Sequence, residues 1–508
     1  MTQQNDHQAG RRKFLIGMGS AGLAAMTVPI LTSAARGAQK IWDHEHEVVI
    51  IGSGFAGLAA AIEAKRQGAK DVVVFEKMPV FGGNSAVNGG LYAAPKTPLQ
   101  KKEGVKDSPE QMISDQMISG RGVADQELLL HVAKHAREAL QLTIDAGAEY
   151  LPYLQQLGGH SVPRTYQTTV ACGAGIVQPL VKESRKLGVQ LINRSKFENL
   201  IFDDSGRVVG VAILQGYYFG HDQPGKLINV RAKRGVIIAT GGFAQNIGLR
   251  QAQDPTLTAE VGCTNPKGAT GEALLEMFQQ GAVPVHLAYI QSGPWASPDE
   301  GGFGYVSNYS IYNFPHSAAI NCRTGQRFMN EIADRKTRAD AELACRDAEG
   351  KPLPPILITS YKHAKKHPNC KKVLRYGVGW KFESLKAIAK KFNIPLKALE
   401  KQVKQYNDYV RTGKDEQFGK IMEKAKGKYL EAPFTVVRLW PKVHYCQGGV
   451  KVNVQAEVIN ATTWKPIPGL LAAGEVTGGI HGVSRLGSCS IPECMVMGMT
   501  AARTIMKG

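Results

Sequence analysis

The chain has 508 residues, of which 43% are hydrophobic and 21% are charged. These proportions are ordinary for a folded globular protein, and they exclude a disordered chain, a collagen-like fibre and a small disulfide-stabilised domain. The formal net charge is +19, and much of it comes from residues 361–430, which hold 19 Lys or Arg against 6 Asp or Glu. Such a stretch is typical of a surface that attracts an acidic partner or an anionic substrate, and equally of a solvated lysine face that keeps a protein in solution.

The first 38 residues have the organisation of an export signal. Arg11, Arg12 and Lys13 precede an apolar run, and small residues around Ala35 follow it. Paired arginines before Phe-Leu are typical of the twin-arginine type. The run is shorter than the roughly 20 apolar residues that span a bilayer. We therefore expect residues 1–38 to be a twin-arginine signal peptide, the mature protein to be periplasmic, and no stable membrane insertion.

Eight cysteines are scattered along the chain without a C-x-x-C or C-x-x-C-H spacing. This pattern provides no c-type haem attachment motif and predicts no iron–sulfur or zinc site, so we expect no metal ligands. In an oxidising periplasm some cysteines could pair as disulfides, and the spacing leaves the pairing open.

Residues 47–76 contain the elements of a dinucleotide site in their expected order. A buried strand at 47–51 leads into the glycines Gly52, Gly54 and Gly57, an Ala-rich helix follows, and a second strand ends at Glu76. In this motif the first glycine allows the tight turn, the second lets the backbone approach a pyrophosphate, and the third lets helix and strand pack closely. The pyrophosphate lies at the helix N-terminus, and the acidic residue accepts from the ribose.

Further glycine-rich segments decide between the possible dinucleotides. Residues 79–85 follow the acidic residue directly, and residues 235–243 and 468–479 each resemble a strand that ends in a glycine turn. Three separated glycine-rich turns indicate an extended ligand that crosses most of the chain. This arrangement favours FAD over a nicotinamide cofactor.

Several motifs together resemble one protein family. The segments GSGFAGLAAA, GGNSAVNGG, ATGGFAQN, NPKGATGEAL, RFMNEIADR, VHYCQGG and AAGEVTGGIHGVSRLG are similar to the fumarate reductase/succinate dehydrogenase flavoproteins, above all to the soluble flavocytochrome c type of bacterial periplasms. The resemblance covers roughly residues 45–508. It implies an α/β fold, α+β overall, with a Rossmann-like FAD-binding domain at 40–287 and 444–508 and an inserted clamp, or capping, domain at 288–443. The lysine-rich helical spacing of the middle segment agrees with this division.

The glycine motifs and the resemblance together predict the cofactor site. We expect the FAD to be bound non-covalently, because the glycine-rich segment 82–90 contains no histidine. The residues expected at the cofactor are Gly52, Gly54, Phe55, Ala56, Gly57, Glu76, Lys77, Gly83, Asn84, Ser85, Gly89, Gly90, Ala239, Thr240, Gly241, Gly474, Glu475, Ser490 and Ile491.

The resemblance also implies a reaction and its residues. The family reduces a C=C bond conjugated to a carboxylate, with a hydride from the flavin and a proton from an arginine. Arg335 matches the proton donor, and Arg485 and His444 match the groups that bind a carboxylate. The planar fork of an arginine suits a carboxylate, and positive groups stabilise the enolate-like charge that develops.

The chain departs from the fumarate-reducing relatives at the second carboxylate of the substrate. The family histidine that holds it corresponds to Gly293, the neighbouring threonine and glutamate to Tyr309 and Ser310, and the relay arginine to Asn313. Loss of a charged partner for a buried carboxylate costs several kcal/mol. We therefore expect a 2-enoate with one carboxylate, such as methacrylate, acrylate or an aryl acrylate, with fumarate as the next candidate. The aromatic residues expected around its other end, with Gly293, are Trp295, Phe303, Tyr305, Tyr309, Tyr312 and Phe314.

The proton relay, the electron donor and the class of flavoprotein each have more than one candidate. The proton relay behind Arg335 has four candidates, which are Glu331, Asp334, Asp299 and Glu300. Because the chain has no haem motif, we expect a separate multihaem cytochrome c as electron donor and no nucleic-acid partner. The alternatives are a flavin dehydrogenase of the 3-ketosteroid type and a non-catalytic flavin electron carrier. A carboxylate clamp at Arg485 and His444 argues against a dehydrogenase of the 3-ketosteroid type. A capping domain argues against a non-catalytic electron carrier.

Overall fold

The computed structural model of the protein describes residues 41–221 and 225–508, and the predicted signal peptide, residues 1–38, lies outside these ranges. The strands, in chain order, are β1 (His44–Ile51), β2 (Val72–Phe75), β3 (Leu91–Ala93), β4 (Thr165–Gln167), β5 (Gln190–Ile192), β6 (Ser195–Phe202), β7 (Val208–Gln215), β8 (Lys226–Ile238), β9 (Pro284–Val285), β10 (Ile290–Gly293), β11 (Ala318–Ile320), β12 (Ile356–Ser360), β13 (Trp380–Phe382), β14 (Phe434–Arg438), β15 (Lys442–Cys446), β16 (Gly449–Val450), β17 (Glu457–Ile459) and β18 (Pro466–Ala472). The helices are α1 (Phe55–Arg66), α2 (Gly83–Val87), α3 (Pro98–Lys102), α4 (Pro109–Ser119), α5 (Gln126–Asp145), α6 (Ala174–Lys186), α7 (Ile247–Gln253), α8 (Glu272–Gln279), α9 (Gly304–Asn313), α10 (Arg335–Leu343), α11 (Tyr361–Ala364), α12 (Asn369–Arg375), α13 (Leu385–Phe392), α14 (Leu396–Thr412) and α15 (Ser490–Lys507).

The larger sheet has a parallel centre. Six of its eight strands run in the order β17-β18-β8-β1-β2-β5, and the pairs β18–β8, β8–β1, β1–β2 and β2–β5 are parallel, while β17 is antiparallel to β18. The other two strands, β6 and β7, form an antiparallel extension in which β7 also pairs with β8. The end of β1, Val48–Ile51, and all of β2 are buried. A continuous apolar run of this kind is typical of a parallel strand that is covered on both faces.

Two helices cover the first glycine turn. The Ala-rich helix α1 has small side chains, so α15 approaches it closely. A Cβ added at Gly498 in α15 would lie 2.3 Å from the carbonyl oxygen of Ala56. This contact fixes the start of α1 against the C-terminal helix. No helix within the described part of the chain is long and apolar enough to cross a membrane.

A second body is inserted before the chain returns to the large sheet. Its antiparallel sheet has the order β11-β12-β14-β13, with α9 to α14 around it. The large buried cluster contains residues of 48–282 and 443–505, whereas two separate buried clusters contain residues of 295–439. The expected fold class, a Rossmann-like α/β domain with an inserted capping domain, is thus confirmed. The expected boundaries at 287/288 and 443/444 stay a prediction.

Strands β10 and β15 join the two bodies. They pair antiparallel, with Ser292 opposite Val443 and Gly293 opposite Lys442. The chain therefore leaves and re-enters the FAD-binding domain side by side, and the residues next to these strands face both domains. The eight cysteines are all free thiols in this structure.

Candidate active site

The turn between β1 and α1 has the close packing that a pyrophosphate site needs. Gly52 has a φ of +103°, and a Cβ at Gly57 would lie 1.9 Å from the oxygen of Gly52. No larger residue fits either position without moving the backbone. The hydroxyl of Ser85 accepts a hydrogen bond from the backbone N–H of Phe55 at 2.9 Å, which ties the start of α1 to α2.

Glu76, at the end of β2, accepts hydrogen bonds beside this turn. Its Oε2 accepts from the backbone N–H of Ser53 at 3.2 Å and from the Ser53 hydroxyl at 2.6 Å, and its Oε1 accepts from the N–H of Met78 at 2.8 Å. Lys77 lies next to it and donates to Thr270 and Glu272. The acidic residue is thus held at the end of β2, where the motif requires it.

A cavity extends from this turn between the two halves of the FAD-binding domain. The hydroxyl of Thr240, which lines it, is buried and has no hydrogen-bond partner among the described residues. The close-packed glycines and this free hydroxyl fit a bound FAD. The predicted cofactor residues that line the cavity are Gly52, Gly54, Phe55, Ala56, Glu76, Lys77, Gly83, Asn84, Ser85, Ala239, Thr240, Gly241, Gly474 and Glu475.

The remaining predicted cofactor residues lie elsewhere. Gly57 packs against Gly52, and a Cβ at Gly90 would lie 2.4 Å from the hydroxyl oxygen of Thr168, so both serve close packing and do not line the cavity. Gly89, Ser490 and Ile491 line a second, adjoining cavity. The two cavities share five lining residues, which are Phe55, Asn84, Ser85, Glu475 and Cys494. Ligands in the two cavities would therefore be neighbours.

Arg335 projects into the second cavity from the first turn of α10. Its Nη1 donates to Oε1 of Gln291 at 3.1 Å, and its guanidinium lies over the indole of Trp295 with Cζ 4.5 Å from the ring centroid. Gln291 is 2% exposed and donates to the Ser484 hydroxyl and to the carbonyl of Arg485. The capping-domain arginine is thus linked through one amide to the C-terminal loop.

Arg485 and His444 line the same cavity from the FAD-binding domain. Arg485 is 3% exposed and lies over the ring of Tyr445 at 4.5 Å, and its buried Nε has no hydrogen-bond partner among the described residues. Nδ1 of His444 lies 2.8 Å from the Thr264 hydroxyl, and its Nε2 makes no hydrogen bond within the described residues. The structure therefore brings Arg335, Arg485 and His444 together around one space.

The electrostatics of this space favour an anion. Burial, with Arg485 and Arg338 nearby, lowers the pKa of Arg335 well below its usual value. Burial also lowers the pKa of Arg485. Burial and the two arginines hold the pKa of His444 well below its usual value, so this ring is neutral near pH 7. Two buried guanidinium groups without carboxylate partners leave an excess of positive charge, which a carboxylate would compensate.

An indole ring forms the wall at the position where Gly293 was expected to contact substrate. A Cβ at Gly293 would lie 3.0 Å from Cε2 of Trp295, so the ring fills the space that a side chain at 293 would need. Trp295 packs edge-on against His444, with ring centroids 5.1 Å apart. Gly293 itself does not line the cavity, and its role is to make room for this indole.

The structure does not bring Tyr309 to the cavity. The structure contradicts the expectation that Tyr309 contacts substrate, because Tyr309 is fully buried in the core of the capping domain. It lies on the inner face of α9, whereas Ile311 lines the cavity. Of the other aromatic residues expected there, Trp295 and Phe303 line it, Phe314 is in the capping core, and Tyr305 and Tyr312 are 37% and 45% exposed.

The four candidates for a proton relay are each engaged in another way. Glu331 accepts from Arg327 at 2.8 Å and lies 3.1 Å from Nζ of Lys420. Asp334 caps α10 and pairs with Arg121. Asp299 pairs with Arg438, and Glu300 accepts from the first N–H groups of α9. No hydrogen bond joins any of the four to Arg335 within the described residues.

Sequence reasoning missed three residues that shape the site. Gln291 holds Arg335, Thr264 lies beside His444, and Tyr445 supports Arg485, while Cys494 lines both cavities. Each of the three lies within two residues of a predicted site residue or of a motif already identified, which is the only signal that the sequence offers. Thr264 comes from a loop far away in sequence, and it reaches His444 through the pairing of Thr264 N–H with the Val443 carbonyl.

Comparison with known proteins gives the chain a family. Residues 47–491 match the family model described as FAD binding domain. The acrylate reductase flavoprotein subunit of Shewanella woodyi is 70% identical over 503 residues, which is 99% of each chain. The cytochrome-type fumarate reductase of Shewanella frigidimarina is 34% identical over 91% of this chain and 77% of its own.

A solved structure supports the same assignment. The open conformation of a flavocytochrome c3 fumarate reductase superimposes with a TM-score of 0.74 at 28% identity, over 92% of this chain and 79% of that one. Family, relatives and structure agree with the glycine turns and the cavity. The chain belongs to the FAD binding domain family, within its fumarate reductase-like flavoproteins, and is an FAD-dependent oxidoreductase.

Proposed function

We propose that the protein reduces the C=C bond of a small 2-enoate that has one carboxylate, with acrylate and methacrylate as the favoured substrates. The coarser activity, FAD-dependent reduction of an unsaturated carboxylate, is that of its relatives. The single observation that carries the finer assignment is the indole of Trp295 in the space beside Gly293. It adds an aromatic wall beside Arg335 and His444, in the space that a second carboxylate-binding side chain at position 293 would need.

The residues of the FAD-binding domain hold the carboxylate of the substrate in this proposal. Arg485 offers a buried guanidinium whose Nε is free to donate. The Thr264 hydroxyl lies 2.8 Å from Nδ1 of His444, and we propose the tautomer in which Nδ1 accepts from this hydroxyl and Nε2 carries the proton that is donated to the same carboxylate. A neutral imidazole suits this role, because it donates a hydrogen bond without repelling the neighbouring arginines. The pair fixes the orientation of the C=C bond.

Arg335 donates the proton to the α-carbon. The bound, reduced FAD supplies the hydride that this chemistry requires. As charge develops on the carboxylate, Arg485 stabilises it, and Arg335 gives up a proton to the carbanion-like carbon. The lowered pKa of Arg335 makes its guanidinium a stronger acid than a free arginine, which hardly deprotonates.

In this proposal the aromatic wall of the cavity discriminates against a second carboxylate. Trp295 and Phe303 form this wall, and the indole takes the space of a side chain at position 293 that would hold the second carboxylate of a dianion such as fumarate. A carboxylate that loses its hydration without a dedicated charged partner costs several kcal/mol. A vinyl or methyl-substituted vinyl group loses nothing in the same place, so fumarate is the weaker substrate.

The proposal also covers how FAD is attached, where the protein is located, what donates its electrons and where its domains begin and end. We propose that FAD is held non-covalently, that the protein is exported to the periplasm by the twin-arginine route through residues 1–38, and that a separate multihaem cytochrome c delivers the electrons. The domain boundaries 40–287, 288–443 and 444–508 also belong to the proposal, and the distribution of the buried clusters supports them.

The test of the chemistry is turnover of the FAD-loaded protein with reduced methyl viologen and acrylate. Arg335→Lys is expected to lower kcat by about 10³-fold with FAD content unchanged. Arg323→Lys, at an exposed position, is the matched control and keeps full activity. Unchanged turnover of Arg335→Lys would contradict the proton-donor role. Turnover of a neutral 3-ketosteroid in place of acrylate would favour the dehydrogenase alternative, and no turnover of any substrate would favour an electron carrier.

A further inference from the structure

A loop before β4, residues 156–161, packs against the chain on two sides of the substrate cavity. A Cβ at Gly158 would lie 2.8 Å from the carbonyl oxygen of Ile332 in the capping domain. A Cβ at Gly159 would lie 2.7 Å from Cδ1 of Leu486 in the C-terminal loop. Loop 156–161 therefore contacts both the segment that leads into α10 and the loop that holds the proposed carboxylate clamp.

His160, in this loop, is 5% exposed and makes a hydrogen bond through each ring nitrogen. Nη1 of Arg164 lies 3.1 Å from Nδ1, and the carbonyl oxygen of Gly487 lies 2.7 Å from Nε2. A guanidinium can only donate and a carbonyl can only accept, so Nδ1 is the acceptor and Nε2 carries the proton. The two partners thus fix one neutral tautomer of the ring, and burial lowers the pKa of His160 to about 4.

Arg164 is a rigid anchor for this histidine. It is fully buried, and its Nε and Nη2 donate to the two carboxylate oxygens of Asp107 at 3.0 and 2.9 Å. Its Nη1 also donates to Asp115, which accepts from the N–H and the hydroxyl of Ser161 at 2.9 Å each. A bidentate pair of an arginine and a carboxylate has a defined geometry. A buried ion-pair network therefore holds the ring of His160 in place.

The loop that His160 reaches has a strained backbone. Ser488 has a φ of +63°, in the left-handed region that residues other than glycine rarely adopt. Its hydroxyl donates to the carbonyl of Gly487 and therefore accepts from the Thr165 hydroxyl at 2.8 Å. Such a conformation persists only where surrounding contacts hold it. His160 and Thr165 supply two of these contacts, one to the carbonyl before Ser488 and one to its side chain.

The same loop contains the proposed clamp for the substrate carboxylate. Nη1 of Arg485 donates to the carbonyl of Leu486 at 3.3 Å, and Ser488 lines the substrate cavity. A Cβ at Gly487 would lie 3.6 Å from Nη2 of Arg335, so the backbone here also lies beside the proposed acid. A shift of this loop would therefore move one arginine relative to the other.

We propose that His160 and Thr165 are positioning residues, which hold loop 486–488 so that the guanidinium of Arg485 faces the substrate carboxylate. Neither residue lines the cavity, so both act through Arg485. No covalent bond changes and no proton moves in this role. The inference rests on the proposed function, because it requires a carboxylate at Arg485.

The decisive comparison is His160→Asn against His160→Gln. The amide N–H of a glutamine reaches about as far as Nε2 and can bind the Gly487 carbonyl, whereas an asparagine ends near the position of Nδ1. With FAD-loaded protein, reduced methyl viologen and acrylate, His160→Asn is expected to lower kcat/KM by about 5- to 10-fold, and His160→Gln by less than about twofold. The Kd of propanoate, measured through the flavin absorbance of the oxidised protein, is expected to rise by a similar factor in His160→Asn alone. His44→Asn, at an exposed position, is the control and is expected to change neither value.

A double variant separates positioning from a purely structural role. In an Arg485→Gln background, His160→Asn is expected to lower kcat/KM by less than about twofold further, because the group through which it acts is gone. If His160→Asn does not fold, Thr165→Val against Thr165→Ser decides, because only Thr165→Ser retains a hydroxyl for Ser488. Thr165→Val is then expected to show the lower kcat/KM and the higher Kd.

Four results would overturn the positioning role. They are an unchanged kcat/KM and Kd in His160→Asn with only a lower Tm, equal losses in His160→Asn and His160→Gln, equal effects of His160→Asn in the wild-type and Arg485→Gln backgrounds, and equal values in the two Thr165 variants. A wild type that neither reduces an enoate nor binds propanoate would instead overturn the proposed function.

Discussion

The indole of Trp295 occupies the space into which a side chain at position 293 would extend, at 3.0 Å from a Cβ built on Gly293. The two residues depend on each other, because the absence of a side chain at Gly293 leaves the space that the indole of Trp295 fills. The ring in turn supports Arg335 on its face and His444 at its edge. One small residue and one large residue therefore set both the shape of the cavity and the position of the proposed acid.

The first prediction exchanges these two residues. The double variant Gly293→His with Trp295→Ala replaces the apolar wall by a group that can bind a second carboxylate. We expect kcat/KM for fumarate, relative to that for acrylate, to increase by about tenfold or more, which corresponds to at least about 1.4 kcal/mol. Parallel assays of both substrates measure it, and Trp464→Ala, at a 65% exposed tryptophan, is the control. An unchanged ratio would show that the wall does not select the substrate.

The second prediction concerns the carboxylate clamp. Arg485→Gln removes the buried guanidinium that we propose pairs with the substrate, and we expect kcat/KM for acrylate to fall by about 10²- to 10³-fold. Arg485→Lys is expected to recover little, because an ammonium group cannot present the planar fork. Steady-state kinetics with FAD content as the reference measure both variants. Full activity in Arg485→Lys would mean that only a positive charge is needed.

The third prediction tests the hydrogen bond between Gln291 and Arg335. Gln291→Glu places a negative charge 3.1 Å from Nη1 of Arg335 with little change of shape. An adjacent carboxylate raises the pKa of a guanidinium, which makes it a weaker acid. We expect kcat to fall by about tenfold or more, while KM for acrylate changes little. A variant as fast as the wild type would show that the acidity of Arg335 does not limit the reaction.

The fourth prediction concerns stability and pH. Burial, with nearby lysines, lowers the pKa of His316 from its usual value to about 3. As pH falls below about 6.5, the unfolded chain binds a proton that the folded protein does not, so stability is lost. Relative to His316→Gln, the wild type is expected to lose about 1.4 kcal/mol of unfolding free energy per pH unit below that value. Urea unfolding at pH 7.5, 6.5 and 5.5 measures this, with the exposed His44→Gln as control. Parallel slopes for wild type and His316→Gln would contradict it.

The fold and the cofactor site follow from local sequence patterns. Gly52, Gly57 and Glu76 have fixed spacings because one turn sets all three, and the structure places them as the motif requires. The change from glycine-rich strands to lysine-rich helices indicated the inserted domain. The convergence of Arg335, Arg485 and His444 was predicted through the resemblance, because their surrounding motifs are unambiguous.

Local sequence patterns could not predict which residues of the capping domain line the cavity. Tyr309 and Gly293 were expected to contact substrate, but which face of α9 packs inward depends on the core of the capping domain. Burial of Tyr309 in that core is a tertiary effect that no local spacing encodes.

The most direct test of the central claim is the substrate profile of the wild type. The FAD-loaded protein would be assayed with reduced methyl viologen and with acrylate, methacrylate, cinnamate, urocanate and fumarate in parallel. The account predicts that the highest kcat/KM belongs to a small monocarboxylic enoate and that the value for fumarate is lower by about tenfold or more, because the indole of Trp295 fills the space of a side chain at position 293 that would hold a second carboxylate. Fast turnover of fumarate with slow turnover of acrylate and methacrylate would contradict it.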